Sequence, residues 1–303
     1  MDRFVRTIVG WIAWPGLLAG CVLATQFGFA LGQPQIAFAL TYLLLGAALF
    51  LLQRWMPHSP GWQEKDGQLG PDLAHSVASA AAVQGMVAFT TMVGVAAGLT
   101  LFTGHGFDVW PRGLPLAVQV ILGMAVLEFA LYWAHRLAHE WRPLWYFHAV
   151  HHSVPRLSFV NNGRFHFVDG VKSALPGLLL LMALGAPLEM LIWQSALGGY
   201  IGMLTHSNVA MRFGWLSFIF NTPELHRWHH SKDPREGNRN YGESLMLWDQ
   251  IFGSFFRQNR CPPEEIGVVE PMPDRFAAQI LWPFRMLASP RAIAEEAPSA
   301  PRG

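Results

Sequence analysis

Charge is scarce in this sequence. Only 14% of its 303 residues are Asp, Glu, Lys or Arg, against roughly 25% in soluble domains, whereas 52% are hydrophobic. Such a chain is expected in lipid. Neither sign dominates: the net charge of +1 excludes the basic profile of a nucleic-acid or polyanion binder. Cysteine is nearly absent too. Cys21 and Cys261 are too few for a disulfide framework or an iron–sulfur cluster, which takes about four thiolates. Any electrons the protein uses are therefore expected from a separate partner.

What is present is long apolar runs. A membrane span needs about 20 mostly apolar residues, and four segments reach that length, near 7–31, 35–53, 73–102 and 114–134. The first is too long for a signal-peptide core and reads as a retained span. The third is long enough to tilt or to break near Gly94 or Gly98. A later block, 173–205, is interrupted by Gly185, Ala186 and Pro187 and reads as a tight helical hairpin that crosses only part of the bilayer. With a cytoplasmic N-terminus, 20 of the 21 Lys and Arg fall on the cytoplasmic side and only Arg112 outside, the asymmetry expected of an even number of crossings. The predicted fold is all-α: a polytopic helical bundle of four spans plus the hairpin, with a cytoplasmic histidine-rich helical cap. It divides into N-terminal spans (1–113), a catalytic region (114–260) and a cytoplasmic tail (261–303) whose Pro-rich end is expected to be disordered.

Histidine is the abundant chemical resource. Ten of the 13 lie between 135 and 230, and eight of these form three clusters: His135-x-x-x-His139, His148-x-x-His151-His152 and His226-x-x-His229-His230. Residues three and four apart share a helical face, so each cluster can offer two or three imidazoles to a common centre. One H-x-x-x-H is as well explained by ordinary packing. Two H-x-x-H-H clusters beside it, all predicted on one membrane face, are not, because burying so many imidazoles without partners is costly. A zinc ion takes about four ligands, so eight histidines suit two metal ions. His206, which ends the last apolar block, is expected as a ninth ligand. His166 and Asn208 are weighed as ligands or outer-shell groups, and His75 as an outer-shell or gating residue; His58 and His105 read as interfacial. Metal-bound imidazoles are oriented by an acceptor on the other ring nitrogen. Glu128, two turns before His135, and Asp249 are candidates, with Asp169, Glu224 and Glu243 behind them; the plain alternative for each is an ion pair with a nearby arginine.

The run from Glu128 to His139, Phe147 to Ser153, Arg164-Phe165-His166, His206-Ser207-Asn208, Thr222 to Ser231 and Asn240 to Gly253 resembles, in order and interval, the fatty acid hydroxylase/sterol desaturase superfamily, over about 115–256. The resemblance implies an all-helical membrane enzyme in which two iron ions use dioxygen to hydroxylate or desaturate a lipid C–H bond. It implies His135, His139, His148, His151, His152, His226, His229 and His230 as ligands, with His206 joining them. Phe167 stands where many relatives have proline, which weakens the case for His166. The substrate would be a fatty acyl chain, sterol or related lipid. The electron donor would be separate, such as a cytochrome b5-like protein or a ferredoxin with its reductase, and the active site would face the cytoplasm at the cell (inner) membrane. Trp133, Trp141 and Trp145 would flank a lipid path. Two rivals use the same clusters: a membrane zinc hydrolase, and a metal transporter or store without oxidase activity. Transporters place ligands near the bilayer midplane, whereas these clusters sit at or beyond the ends of the spans.

Overall fold

The computed structural model describes residues 2–96 and 109–288; His105, Gly98 and the tail from 289 lie outside the described residues. Four long helices come first: α1 (Asp2–Ala30), α2 (Pro34–Trp55), α3 (Leu69–Ala96) and α4 (Leu116–Glu140). Each is long and apolar enough to cross a membrane, and α3 continues through Gly94 without a break. Then follow α5 (Arg142–His152), the hairpin α6 (Phe167–Ala183) and α7 (Leu188–Thr205), and the short helices α8 (Pro223–His229), α9 (Pro234–Gly237), α10 (Leu247–Ile251) and α11 (Phe276–Ala288). Among the described residues the only β structure is three isolated bridges, so the chain is all-helical as its sequence predicts.

The boundaries follow from local chemistry. Gly32, at φ +67°, turns the chain out of α1, and Pro34 starts α2 where its missing N–H costs nothing. Pro143 does the same for α5 directly after Trp141 ends α4. That sharp joint folds α5 back so that its histidines meet those at the end of α4. Gly185, at φ +77°, and Pro187 make the hairpin turn between α6 and α7. At 17 and 18 residues and about 1.5 Å per residue, both arms fall a little short of the ~30 Å hydrocarbon core.

Helix α7 carries apolar residues around most of its circumference because neighbouring helices flank it on several sides. It packs against α1, α2 and α4, and fully buried Tyr200 reaches α1 by a 2.9 Å bond between its hydroxyl and that of Thr25. The outer helices show the opposite: Leu23, Leu43, Leu44 and Ile121 are each more than 60% exposed. Apolar surface on that scale needs lipid. The spans thus form a scaffold, and the polar cap from 206 to 288 closes over the end that carries the histidines.

Candidate metal centre

Nine buried or half-buried imidazoles converge where α4, α5, α7 and α8 end. They form two groups, His135, His139, His148, His152 and His229 in one, and His151, His206, His226 and His230 in the other. Within each group one nitrogen from every ring lies within 4.8 Å of the others. These are the nine positions singled out in the sequence, and the structure adds a partition that the sequence did not specify. Each H-x-x-H-H cluster splits. His148 and His152, one turn apart, serve the first group while His151 serves the second; His226 and His230 serve the second while His229 crosses to the first. The facing rings of His152 and His230 stack at 4.3 Å, so the two groups adjoin.

The orientation of the rings is set by what their Nδ1 atoms touch. His135 Nδ1 donates to the Tyr241 carbonyl at 2.7 Å and His229 Nδ1 to that of Arg239 at 2.7 Å. His139 donates to Asn238 Oδ1 at 3.0 Å, and His151 and His206 to the carbonyls of Arg164 and Gly202 at 3.3 and 3.2 Å. His148 Nδ1 meets the buried carboxylate of Asp169 at 2.9 Å. With Nδ1–H committed, each Nε2 carries a lone pair pointing inward. The Nε2 atoms of His135, His139 and His229 are buried with no partner. His148 Nε2 faces His152 Nε2 at 3.0 Å, and His226 Nε2 faces those of His206 and His230 at 3.1 and 3.0 Å. Buried lone pairs converging in this way are costly unless a cation lies among them. Burial also holds His148, His151, His152, His226 and His230 well below the usual imidazole range, and His229 at about 4. All are neutral at pH 7, the form that ligates metal. The donor set fits two metal ions.

The other candidates lie elsewhere. His166 is the N-cap of α6: its Nδ1 accepts from Val168 N at 3.2 Å, and its Nε2 meets the Ile280 carbonyl of α11 at 3.1 Å. Asn208 pins the 57–59 turn, exchanging bonds with the Ser59 backbone at 2.9 and 2.8 Å. Asp249 accepts from Tyr241 N, Gly242 N and Ser254 Oγ, each at 2.7 Å, and so builds the loop that presents the Tyr241 carbonyl to His135. Glu128 accepts from Glu243 N and Ser244 N at 3.1 and 2.9 Å and braces that same loop. Glu224 pairs with Arg257 near the surface, and His75 bonds Gln279 at 3.0 Å. Among the described residues Asp169 is the one carboxylate in contact with any of the nine rings. Backbone carbonyls and Asn238 serve five more, His226 Nδ1 lies 3.4 Å from Asn221 Nδ2 and His230 Nδ1 is buried without a partner; sequence gives no signal for a carbonyl.

Two cavities flank the centre. One, of about 220 Å³, lies between α4 and α7 and reaches His135, His151, His206 and His226. Its walls are one face of α4 (Met124, Leu127, Leu131) and a Gln194, Gly198, Gly202 stripe on α7, with Glu128 and Glu243 at the polar side. Burial first, and the Asp169 charge second, push Glu243 up to about 7. The other cavity, of about 360 Å³, opens on the cap side to His139, His152 and His229, between Glu140, Lys232 and Glu270. Trp145 stands in it 5.2 Å from the His139 ring, its indole N–H on Glu270 at 3.0 Å. Of the three tryptophans expected beside a lipid path, none lines the cavity between α4 and α7.

A profile of the family described as fatty acid hydroxylase matches residues 120–254, the segment that holds all nine histidines. The chain is 42% identical over 275 residues to an ornithine lipid hydroxylase of Rhizobium tropici, covering 90% of this chain and 83% of that protein. It is 30% identical over 129 residues to an alkylglycerol monooxygenase of Xenopus tropicalis, but this spans only 28% of that longer protein. A Δ7-sterol 5(6)-desaturase of Aspergillus fumigatus is 29% identical over 191 residues, 58% of this chain and 53% of the desaturase. No solved structure matches.

Proposed function

The chain belongs to the fatty acid hydroxylase family, and from that premise we propose that it hydroxylates an amine-bearing membrane lipid of the ornithine-lipid type at a two-iron centre. The observation that carries the reading is the convergence of nine imidazoles, six of them turned Nε2-inward by an acceptor on Nδ1, beside a cavity between the membrane-spanning α4 and the hairpin helix α7. His135, His139, His148, His152 and His229 would hold one iron, and His151, His206, His226 and His230 the other. Iron changes oxidation state where zinc cannot, and so would supply electron transfer and dioxygen activation.

The chain's own residues do the remaining work. Asp169, Asn238 and the carbonyls of Tyr241, Arg239, Arg164 and Gly202 fix the tautomer and direction of six rings, so little reorganisation is needed at the centre. The cavity between α4 and α7 is where the lipid C–H bond is held. Glu128 and Glu243 put two carboxyl groups there and no Lys or Arg lines it, which suits an ammonium group on the substrate. The ornithine lipid hydroxylase that resembles this chain acts, by its name, on such a lipid. The opposite cavity leaves His139, His152 and His229 near solvent, on the side where a separate electron donor would approach. The Lys and Arg asymmetry supports a cytoplasmic location for that side.

The test is to purify the protein anaerobically, measure its iron, and compare lipid profiles of cells with and without it. Two irons per chain and an oxygen-dependent gain of one oxygen atom in an aminolipid are expected. Full hydroxylation by His229→Ala, or turnover of a lipid by the zinc-loaded protein without oxygen, would overturn the reading.

A further inference from the structure

A second apolar hollow, of about 660 Å³, opens between α2 and α3 on the outside of the bundle. Its walls are Leu43 and Gly46 of α2 and Leu73, Ala80 and Val83 of α3. These two helices scarcely touch among the described residues; the 159–163 turn bridges them. Leu43 and Leu73 are 70% and 52% exposed. The stretch of α3 that lines the hollow, Leu73 to Gln84, is about 16 Å long at 1.5 Å per residue. That is roughly half of the ~30 Å hydrocarbon core, on the side nearest the histidines.

Gly163 and Phe165 line both this groove and the cavity between α4 and α7. Phe165 is the partition. Its half-buried ring lies flat on the His151 ring, 4.3 Å away and 5° from parallel. Its backbone N–H donates to the Gly163 carbonyl at 2.8 Å, and the side chains on either side of it are anchored. Arg164 donates to the Val150 carbonyl at 3.1 Å and to Asp72 at 2.7 Å, and His166 is tied to Ile280. The backbone is thus pinned, and a change of side-chain rotamer is what remains to open the wall. Gly163 has no alternative there, since a Cβ would lie 2.6 Å from Ser76 Oγ.

We propose that this groove holds an acyl chain of the lipid substrate, whose reacting part passes Phe165 to the histidine-lined cavity. The proposal rests on the lipid-hydroxylase reading. The occupant follows from three features: the groove is mostly apolar, with Ser76, Ser79 and Gln84 as its polar groups, it opens between membrane-spanning helices, and it shares the Gly163 and Phe165 wall with the histidine-lined cavity. Phe165 is then a specificity-determining threshold that touches both chain and ligand ring.

The experiment uses the full chain in phosphatidylcholine vesicles carrying a diazirine on one acyl chain, with photolysis and peptide mapping. Label is expected to concentrate on 42–46 and 73–84, and on Ala80 over Val77, which is 70% exposed on α3 but outside the groove. Ala80→Trp should lower groove labelling several-fold and Val77→Trp leave it unchanged. Phe165→Ala should extend labelling to Leu127 and Leu131 in the cavity. Label spread evenly over lipid-facing positions and indifferent to Ala80→Trp overturns the proposal, as does cross-linking of this face to a second copy of the chain. The wild-type map decides occupancy even if a variant fails to fold. Labelling needs no turnover, so a wild-type protein that hydroxylates nothing sinks the catalytic reading without touching the groove.

Discussion

Removing the Asp169 carboxylate probes whether the histidines are positioned for metal. Asp169 is fully buried, with one oxygen 2.9 Å from His148 Nδ1 and the other 2.7 Å from Lys172 Nζ. Loss of such an outer acceptor costs roughly 10–100-fold in metal affinity, or about 1.4–2.7 kcal/mol. Asp169→Ala belongs at the upper end, because it leaves the Lys172 ammonium uncompensated beside an incoming cation; Lys172 keeps only its 3.1 Å bond to the Ala134 carbonyl. Asp169→Asn retains an acceptor for His148 and should lose about tenfold. The assay is chelator competition on anaerobically iron-loaded protein, with iron counted per chain and helix content checked in parallel. The Ala variant should release the iron of the His148 group at far lower chelator than wild type, while the His151 group holds. Identical release curves for wild type, Asn and Ala would refute the argument that Asp169 orients a ligand.

Three further outcomes follow from the geometry. His151→Ala removes one of four members from the second group and none from the first, so bound iron should fall towards one per chain; retention of both would contradict the partition. Gly198 lines the cavity between α4 and α7, and a Cβ there meets nothing within 4 Å. Gly198→Phe should therefore abolish product formation in a lipid-profile assay while iron content stays at the wild-type level. Gly242→Ala would put a Cβ 2.2 Å from the Leu245 carbonyl and 2.8 Å from Asp249 Oδ2, displacing the loop whose Tyr241 carbonyl holds His135. Each buried donor so orphaned costs about 1–3 kcal/mol, and the variant should melt earlier in detergent and bind less iron.

Spans and candidate ligands were legible in the sequence for different reasons. Spans announce themselves because lipid tolerates little else over 20 residues, and the four helices fall where the apolar runs predict them. The histidines stood out by type and by recurrence, so the nine rings could be named before any geometry was known. Their partition could not. On one helix His148 and His152 lie a full turn apart on one face, with His151 displaced to its flank; which flank meets a second helix depends on packing. Here α8 presents the complementary arrangement, with His229 as the displaced member, so each cluster lends one imidazole to the other's group. Similar reasoning explains why Glu128 and Asp249 misled as ring acceptors. An intramembrane acid reads as chemistry by default, but both carboxylates accept backbone N–H groups of the 241–244 loop. Their contribution reaches the centre through a carbonyl, and every residue has one. The acids hold the loop, the loop aims the Tyr241 carbonyl, and the carbonyl aims His135.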